Sequence, residues 1–105
     1  MYLGCAYYPE YWPKERWERD LSLMKELDFN LVRLAEYSWV KIEPEEGKYQ
    51  FDWLDEIIEL CAKYDIKVIL GTPTDSMPAW LAQKYPEALA LKEDGTRIVW
   101  GGRKN

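Results

Sequence analysis

Histidine is absent from this 105-residue sequence, and cysteine is scarce. Histidine is the general base of Ser-His-Asp and Cys-His sites and a common zinc ligand, so its absence excludes those catalytic arrangements and most zinc geometries from what this chain does alone. The two cysteines, Cys5 and Cys61, lack CxxC spacing, and two buried free thiols are expected rather than a disulfide. Neither a metal site nor a cofactor is predicted within the chain.

Basic charge and long apolar runs are also lacking. There are 14 Lys and Arg residues against 19 Asp and Glu, which gives a net charge of −5, and the basic residues are scattered along the chain. Binding to a phosphate backbone is therefore not expected. No apolar run approaches the roughly 20 residues that cross a bilayer, and the N-terminus lacks the features of a signal peptide. These absences predict a cytoplasmic protein that binds neither nucleic acid nor membrane.

Aromatic residues are abundant, at 15% of the chain, with eight Tyr and six Trp against two Phe. The segment YYPEYWP, residues 7–13, combines three tyrosines and a tryptophan with one carboxylate, Glu10. Tyr and Trp pair an apolar face with a polar group, which suits the flat C–H faces and hydroxyls of sugars. The segment is interpreted either as a stiff wall beside a sugar cleft or as a packing collar in which Glu10 binds backbone amides.

Hydrophobic periodicity predicts alternating strands and helices. The strands are predicted over residues 2–8, 30–36 and 66–70. The last has the nearly continuous apolar sequence of a strand buried in a parallel sheet. The helices are predicted over residues 13–28, over residues 52–64 with Asp52 as N-cap, and from Pro78 to Pro86 with Ser76 as cap. A hairpin turning at Asp94-Gly95 is expected to follow.

The β-α-β-α-β-α order predicts a parallel sheet with right-handed crossovers. A doubly wound sheet and a barrel share that order, but neither GxGxxG nor GxxxxGK[ST] occurs, and the long loops all follow strands, which favours a (β/α)₈ barrel. Three units of roughly 35 residues are about three-eighths of the ~250 residues of such a barrel. The chain is therefore predicted to be α/β, the N-terminal three βα units of a TIM barrel, apparently truncated.

Charged residues near the end of the second strand are the sharpest functional candidates. Arg33 interrupts an apolar strand, and if Val32 and Leu34 face the helices it points into the barrel, where it needs a carboxylate partner. Glu36, three residues on, is not expected to share that face, so the partner is sought elsewhere. Glu36 itself is interpreted as a sugar-hydroxyl acceptor, a catalytic acid or a salt-bridge partner. The acidic residues of segment 43–46 are interpreted as a solvated face.

Two long strings resemble the start of glycoside hydrolase family 42, the β-galactosidases: YYPEYWPKERWERDLSLMKELDFNLVRLAEYSWVKIEPEEGKYQFDWLD and GTPTDSMPAWLAQKYPE. The resemblance implies that residues 1–105 are the N-terminal segment of a TIM-barrel glycosidase catalytic domain. It also implies hydrolysis of terminal non-reducing β-D-galactosides, with retention, by a double displacement at two glutamates. The parent protein is expected to be a homo-oligomer, a trimer.

The resemblance also suggests roles for individual residues. Arg103 matches an arginine that contacts the galactose, and Arg33 resembles a second-strand arginine that keeps the nucleophilic glutamate ionised. Glu36 and Glu10 are candidates for supporting the site. Both catalytic glutamates, and the first cysteine of the zinc cluster that some members carry, would lie beyond Asn105, so the isolated chain is expected to be inactive. A barrel fragment that acts only by complementation, or a carbohydrate-binding module, are the alternatives.

Overall fold

The structure, a computed structural model, describes residues 1–101. Three strands alternate with helices, and short 3₁₀ turns lie at Pro9–Tyr11 and Pro86–Ala88. The elements in chain order are β1 (Gly4–Ala6), α1 (Lys14–Glu26), β2 (Leu31–Leu34), α2 (Trp39–Ile42), α3 (Asp52–Lys63), β3 (Lys67–Leu70) and α4 (Ala79–Lys84).

The three strands form one parallel sheet in the order β1-β2-β3, which confirms the prediction that they lie side by side in sequence order. Cys5 pairs with Val32, and Val32 pairs with Val68. Gly4 lies opposite Leu31, so close that a Cβ added to the glycine would be 2.1 Å from the Leu31 carbonyl oxygen. Any side chain at position 4 would therefore push the first two strands apart.

The core lies between one face of the sheet and helices α1 and α3. The largest fully buried side chains are Leu21, Leu34, Ile57, Val32, Pro9 and Cys61. On α3 the buried stripe includes Leu54, Ile57 and Cys61, with Ile58 half-buried at its margin, and beyond the end of α1 Leu27 is exposed. Cys61 is buried and Cys5 half-buried, and both are free thiols as expected.

The third strand is not buried as its sequence predicts. Lys67, Ile69 and Leu70 are exposed and Val68 is only half-buried. β3 is an edge strand that pairs with β2 alone among the elements of residues 1–101, and one face of the sheet carries no covering layer there. An apolar strand sequence is suited to a strand that is covered on both faces. Within residues 1–101, only one face of β3 is covered.

Two predicted helix caps are wrong. Asp52 is the first residue of α3 and Phe51 is its N-cap residue, with no side-chain cap bond. Ser76 does not cap α4, because its hydroxyl donates to the carbonyl of Pro73 at 3.2 Å and Pro78 takes the N-cap position. At α4 a backbone turn, in which the Ser76 amide donates to the Pro73 carbonyl at 3.1 Å, holds the polar residue away from the helix start.

The C-terminal part of the described chain turns where predicted but forms no extended hairpin. A single antiparallel bridge joins Leu91 to Arg97, and Gly95 has a φ of 80°, in the left-handed region that a glycine tolerates. The short helix α2 was not predicted. Nowhere in residues 1–101 is there a helix with the length and apolar character needed to span a membrane.

Candidate functional site

The loop after β1 is fixed by contacts to α1. The indole N–H of Trp17 donates to the carbonyl of Pro9 at 2.8 Å, and the Arg16 guanidinium lies 4.0 Å from the centre of the Trp12 ring. The buried Tyr7 hydroxyl donates to Asp20 at 2.9 Å. Burial, followed by this hydrogen bond, raises the pKa of Tyr7 far above its ordinary value, so the phenol stays a donor. The loop is therefore held by its own helix.

Glu10 joins this loop to the loop after β2. The Ser38 hydroxyl donates to Glu10 Oε1 at 2.6 Å, and the Lys41 ammonium donates to the Glu10 carbonyl oxygen at 3.2 Å. Glu10 Oε2 is buried and has no hydrogen-bond partner among residues 1–101. The carboxylate thus binds a side-chain hydroxyl, and no backbone amide among residues 1–101 donates to it.

Arg33 lies on the open face of the sheet, opposite the buried Val32 and Leu34, as the alternation predicts. Its partner is Glu36, with 2.9 Å between Arg33 Nη2 and Glu36 Oε2, so the expectation that Glu36 could not reach this face is wrong. Ala35, at φ 67°, breaks the strand alternation directly after Leu34 and returns Glu36 to the side of Arg33. Glu36 Oε2 has no hydrogen-bond partner in the described chain. The two side chains therefore form a close ion pair without hydrogen-bond geometry.

Three tyrosines gather beside this pair. The ring centres of Tyr8 and Tyr37 are 6.0 Å apart, and those of Tyr8 and Tyr11 are also 6.0 Å apart. The charge of Glu36 is the main cause that raises the pKa of Tyr37, and partial burial, Tyr8 and Asp75 act in the same direction. Tyr37 is therefore near groups from the loops after all three strands.

Glu43 differs most from its predicted environment. It was expected on a solvated face, yet it is buried, and it accepts hydrogen bonds from Trp39 Nε1 at 2.8 Å and from the Gly47 amide at 2.9 Å. The Gly47 bond, followed by that of Trp39, lowers the pKa of Glu43. Its carbonyl oxygen accepts the indole N–H of Trp80 at 2.9 Å, which ties α4 to this loop. The sequence signal for this burial is Trp39, whose indole lies four residues before the Glu43 carboxylate.

A cleft of about 440 Å³ lies next to Glu43, between the loops after β2 and β3. It is lined mainly by apolar side chains, including the stacked rings of Tyr49 and Phe51, whose centres are 5.8 Å apart. Within residues 1–101, no group of three or more acidic or cysteine side chains is arranged to hold a metal ion. Arg103, the predicted galactose contact, lies outside the described residues.

Comparison with known proteins identifies the family of this chain. The family model described as β-galactosidase, glycoside hydrolase family 42, matches residues 6–105. The chain is 50% identical over 103 residues to β-galactosidase BgaA of Clostridium cellulovorans and 47% identical over 103 residues to a β-galactosidase of Thermus thermophilus. Each alignment covers 98% of the chain and 16% of the relative, so the chain spans about one-sixth of the length of these curated relatives.

Solved structures agree with the sequence comparison. The β-galactosidase of Halorubrum lacusprofundi superposes on 98% of the chain with a TM-score of 0.93 at 44% identity, and that overlap is 15% of its own length. A β-galactosidase from Rahnella sp. R3 gives the same TM-score at 38% identity. The open sheet of this chain thus has the conformation that the corresponding segment takes inside much longer proteins.

Proposed function

The chain belongs to glycoside hydrolase family 42, the β-galactosidases, and has three consecutive βα units of a (β/α)₈ barrel; from that membership we propose that it supplies the substrate-facing start of a retaining β-galactosidase. The complete enzyme hydrolyses terminal non-reducing β-D-galactosides by double displacement at two glutamates, neither of which is in this chain. Residues 1–105 form one segment of its catalytic domain. Alone, they do not hydrolyse galactosides.

The observation that carries this proposal is the position of Arg33 on the open face of β2. That face is the interior of the barrel, and Arg33 is near its carboxyl end, where barrel enzymes hold their catalytic residues. A guanidinium there favours the ionised form of a nearby carboxylate, which a nucleophilic glutamate requires. In the proposed enzyme Glu36 orients Arg33, the Glu10–Ser38 bond fixes the adjoining loops, and Arg103 binds galactose hydroxyls.

The first test measures hydrolysis of a nitrophenyl β-galactoside by the 105-residue chain and by a chimera that has the full length of a relative. In the chimera, residues 1–105 replace the matching segment of the Clostridium cellulovorans relative, to which the chain is 50% identical. The proposal expects activity in the chimera and none in the chain. Turnover by the purified chain would contradict the assignment of both glutamates elsewhere.

The second test examines Arg33 in the chimera. Arg33→Ala is expected to lower kcat/KM and to move the acid limb of its pH profile upward, because the nucleophile loses the charge that keeps it ionised. Arg33→Lys, which retains a positive charge, should restore most of that limb. Arg19→Ala, on the exposed surface of α1, is the matched control. An unchanged pH profile in Arg33→Ala would count against the role given to Arg33.

A second candidate function is favoured by the unpaired edge of β3. Ile69 and Leu70 on this strand are about half exposed, and its outer backbone groups face no strand within residues 1–101. Such an edge binds a further strand readily, so the chain would act by completing a barrel supplied in trans. Co-expression with a relative that lacks the matching segment tests this, since restored galactoside hydrolysis supports complementation and continued inactivity opposes it.

Assembly and location are the remaining parts of the proposal. The family-length protein is proposed to form a homotrimer and to work in the cytoplasm. Light scattering of the purified chimera gives the oligomeric state directly. A monomer at working concentration would refute the trimer without affecting the proposed reaction.

A further inference from the structure

The tyrosine cluster of Tyr8, Tyr11 and Tyr37 is not used by the chemistry proposed above. Tyr8 is half-buried between the other two, whereas Tyr11 is 70% exposed and Tyr37 is 42% exposed. The rings are tilted, by 52° between Tyr8 and Tyr11 and by 33° between Tyr8 and Tyr37. The cluster therefore presents a curved aromatic surface on the side of the sheet where the strands end.

This surface is held in place before any ligand arrives. Tyr11 is in the 3₁₀ turn Pro9–Tyr11. Pro9, the first residue of the turn, is fully buried, and its carbonyl oxygen accepts a hydrogen bond from the indole N–H of Trp17. The loop of Tyr37 is linked to the same turn by the bond from Ser38 to Glu10. Because the supporting contacts exist already, binding of a ligand that stacks on these rings costs little free energy for ordering the loops.

Hydrogen-bonding groups lie at one end of the surface. Glu36 precedes Tyr37, and both Glu36 and Asp75 are close enough to raise the pKa of the Tyr37 phenol, which stays protonated and able to donate. A phenol donor next to the Glu36 carboxylate suits the hydroxyls of a sugar, and an aromatic face suits the C–H face of a pyranose ring. The combination fits a sugar better than it fits a purely apolar ligand.

We propose that Tyr8, Tyr11 and Tyr37 form the platform on which the leaving-group sugar of a β-galactoside stacks. The inference rests on the proposed galactosidase function and assigns a subsite within it. Arg33 lies within the barrel mouth, where the bond is cleaved, whereas Tyr11 is in the loop beyond the strand end and largely exposed. The part of the substrate that lies outside the cleavage point is the leaving group, and it meets the outer rings.

The test compares two substrates in the chimera defined above. Lactose has a sugar as its leaving group, whereas β-galactosyl fluoride releases fluoride and has no ring to stack. Tyr11→Ala and Tyr37→Ala are each expected to lower kcat/KM for lactose about tenfold, the size of one aromatic contact, and to change it less than about twofold for the fluoride. Tyr11→Phe, which retains the ring, should keep most of the lactose activity.

Tyr2→Ala is the matched control, because Tyr2 is also exposed, at 65%, and precedes β1 at the opposite end of the sheet. Equal losses on both substrates would overturn the inference, since they would mean that the rings pack against the rest of the barrel. No loss on either substrate would overturn it as well. A chimera that hydrolyses neither substrate before mutation would instead contradict the proposed function.

A binding measurement on the 105-residue chain decides the inference independently of turnover. Saturation-transfer NMR with lactose is expected to show stronger transfer to the glucose protons than to the galactose protons. The double variant Tyr11→Ala and Tyr37→Ala should abolish that difference, while Tyr2→Ala should retain it. Absent transfer, or equal transfer to both rings, would overturn the assignment of this platform to the leaving group.

Discussion

Gly4→Ala provides a direct test of the sheet, because a Cβ added at Gly4 would overlap the backbone of β2. An added Cβ would lie 2.1 Å from the carbonyl oxygen of Leu31, 2.8 Å from its carbonyl carbon and 2.9 Å from its Cβ. Two of these atoms are backbone, so a rotamer change cannot relieve the overlap. The strands have to separate at the first of their three paired positions, Gly4 with Leu31.

The expected cost follows from two effects. Forcing an extra carbon into a packed contact costs about 1–3 kcal/mol. The separated strands also lose a ladder hydrogen bond, which contributes about 0.5–1.5 kcal/mol. Together they give a loss of roughly 2–4 kcal/mol in the free energy of unfolding, a large part of the 5–15 kcal/mol typical of a domain.

Urea unfolding followed by tryptophan fluorescence measures this loss in the 105-residue chain and in the chimera. Gly47→Ala is the control: Gly47 has a φ of 77° and nothing within 4 Å of its added Cβ, so it should show only the backbone strain, about 1–2 kcal/mol. If Gly4→Ala costs less than Gly47→Ala, the strands are not as close at Leu31 as the structure has them, and the reasoning fails.

Three further predictions concern the core, the thiols and acid stability. Ile57→Ala should cost about 2–5 kcal/mol and Ile57→Val about 0.5–1.5 kcal/mol in urea unfolding, because the side chain is fully buried. Burial raises the pKa of the Cys61 thiol to about 11, so at pH 8 a disulfide reagent should label Cys5 first and Cys61 only on unfolding. The pKa of Glu43 is lowered in the folded state, so its ionised form stabilises the fold at any pH above the ordinary glutamate pKa. This stability is lost as the pH falls from the ordinary pKa through the lowered one, and Glu43→Gln should reduce the change in the free energy of unfolding with pH over that range.

Much of the fold was predictable because strand and helix periodicity is a local property of the sequence. The order of the elements, the parallel pairing and the buried stripe of α3 all follow from it. The helix starts were less predictable, since Ser76 binds the Pro73 carbonyl in a turn instead of capping α4. The exposure of β3 could not be read from β3 at all, because burial depends on which other strands and helices are present.

The site was predictable at Arg33 and poorly predictable at its partners. Strand alternation gives the face of Arg33, but the position of Glu36 depends on the left-handed conformation of Ala35, an uncommon choice for a residue other than glycine. Glu43 was misjudged for a related reason, since its burial depends on indoles and an amide from three separate segments. Sequence patterns describe strands well and describe loop contacts between distant residues poorly.

The geometry of Arg33 and Glu36 connects the open sheet with the chemistry proposed for the complete barrel. In this chain half of the Arg33 side chain is exposed, and a pair in that setting contributes about 0–1 kcal/mol. Covering the open face would remove water from Arg33, and a buried guanidinium that lacks full hydrogen bonding costs several kcal/mol. Glu36 contacts it at one oxygen without a hydrogen bond, so donors of Arg33 remain for another acceptor. A carboxylate brought in by the later strands would satisfy them, and the same contact would keep that carboxylate ionised, which is the state a glycosidase nucleophile needs.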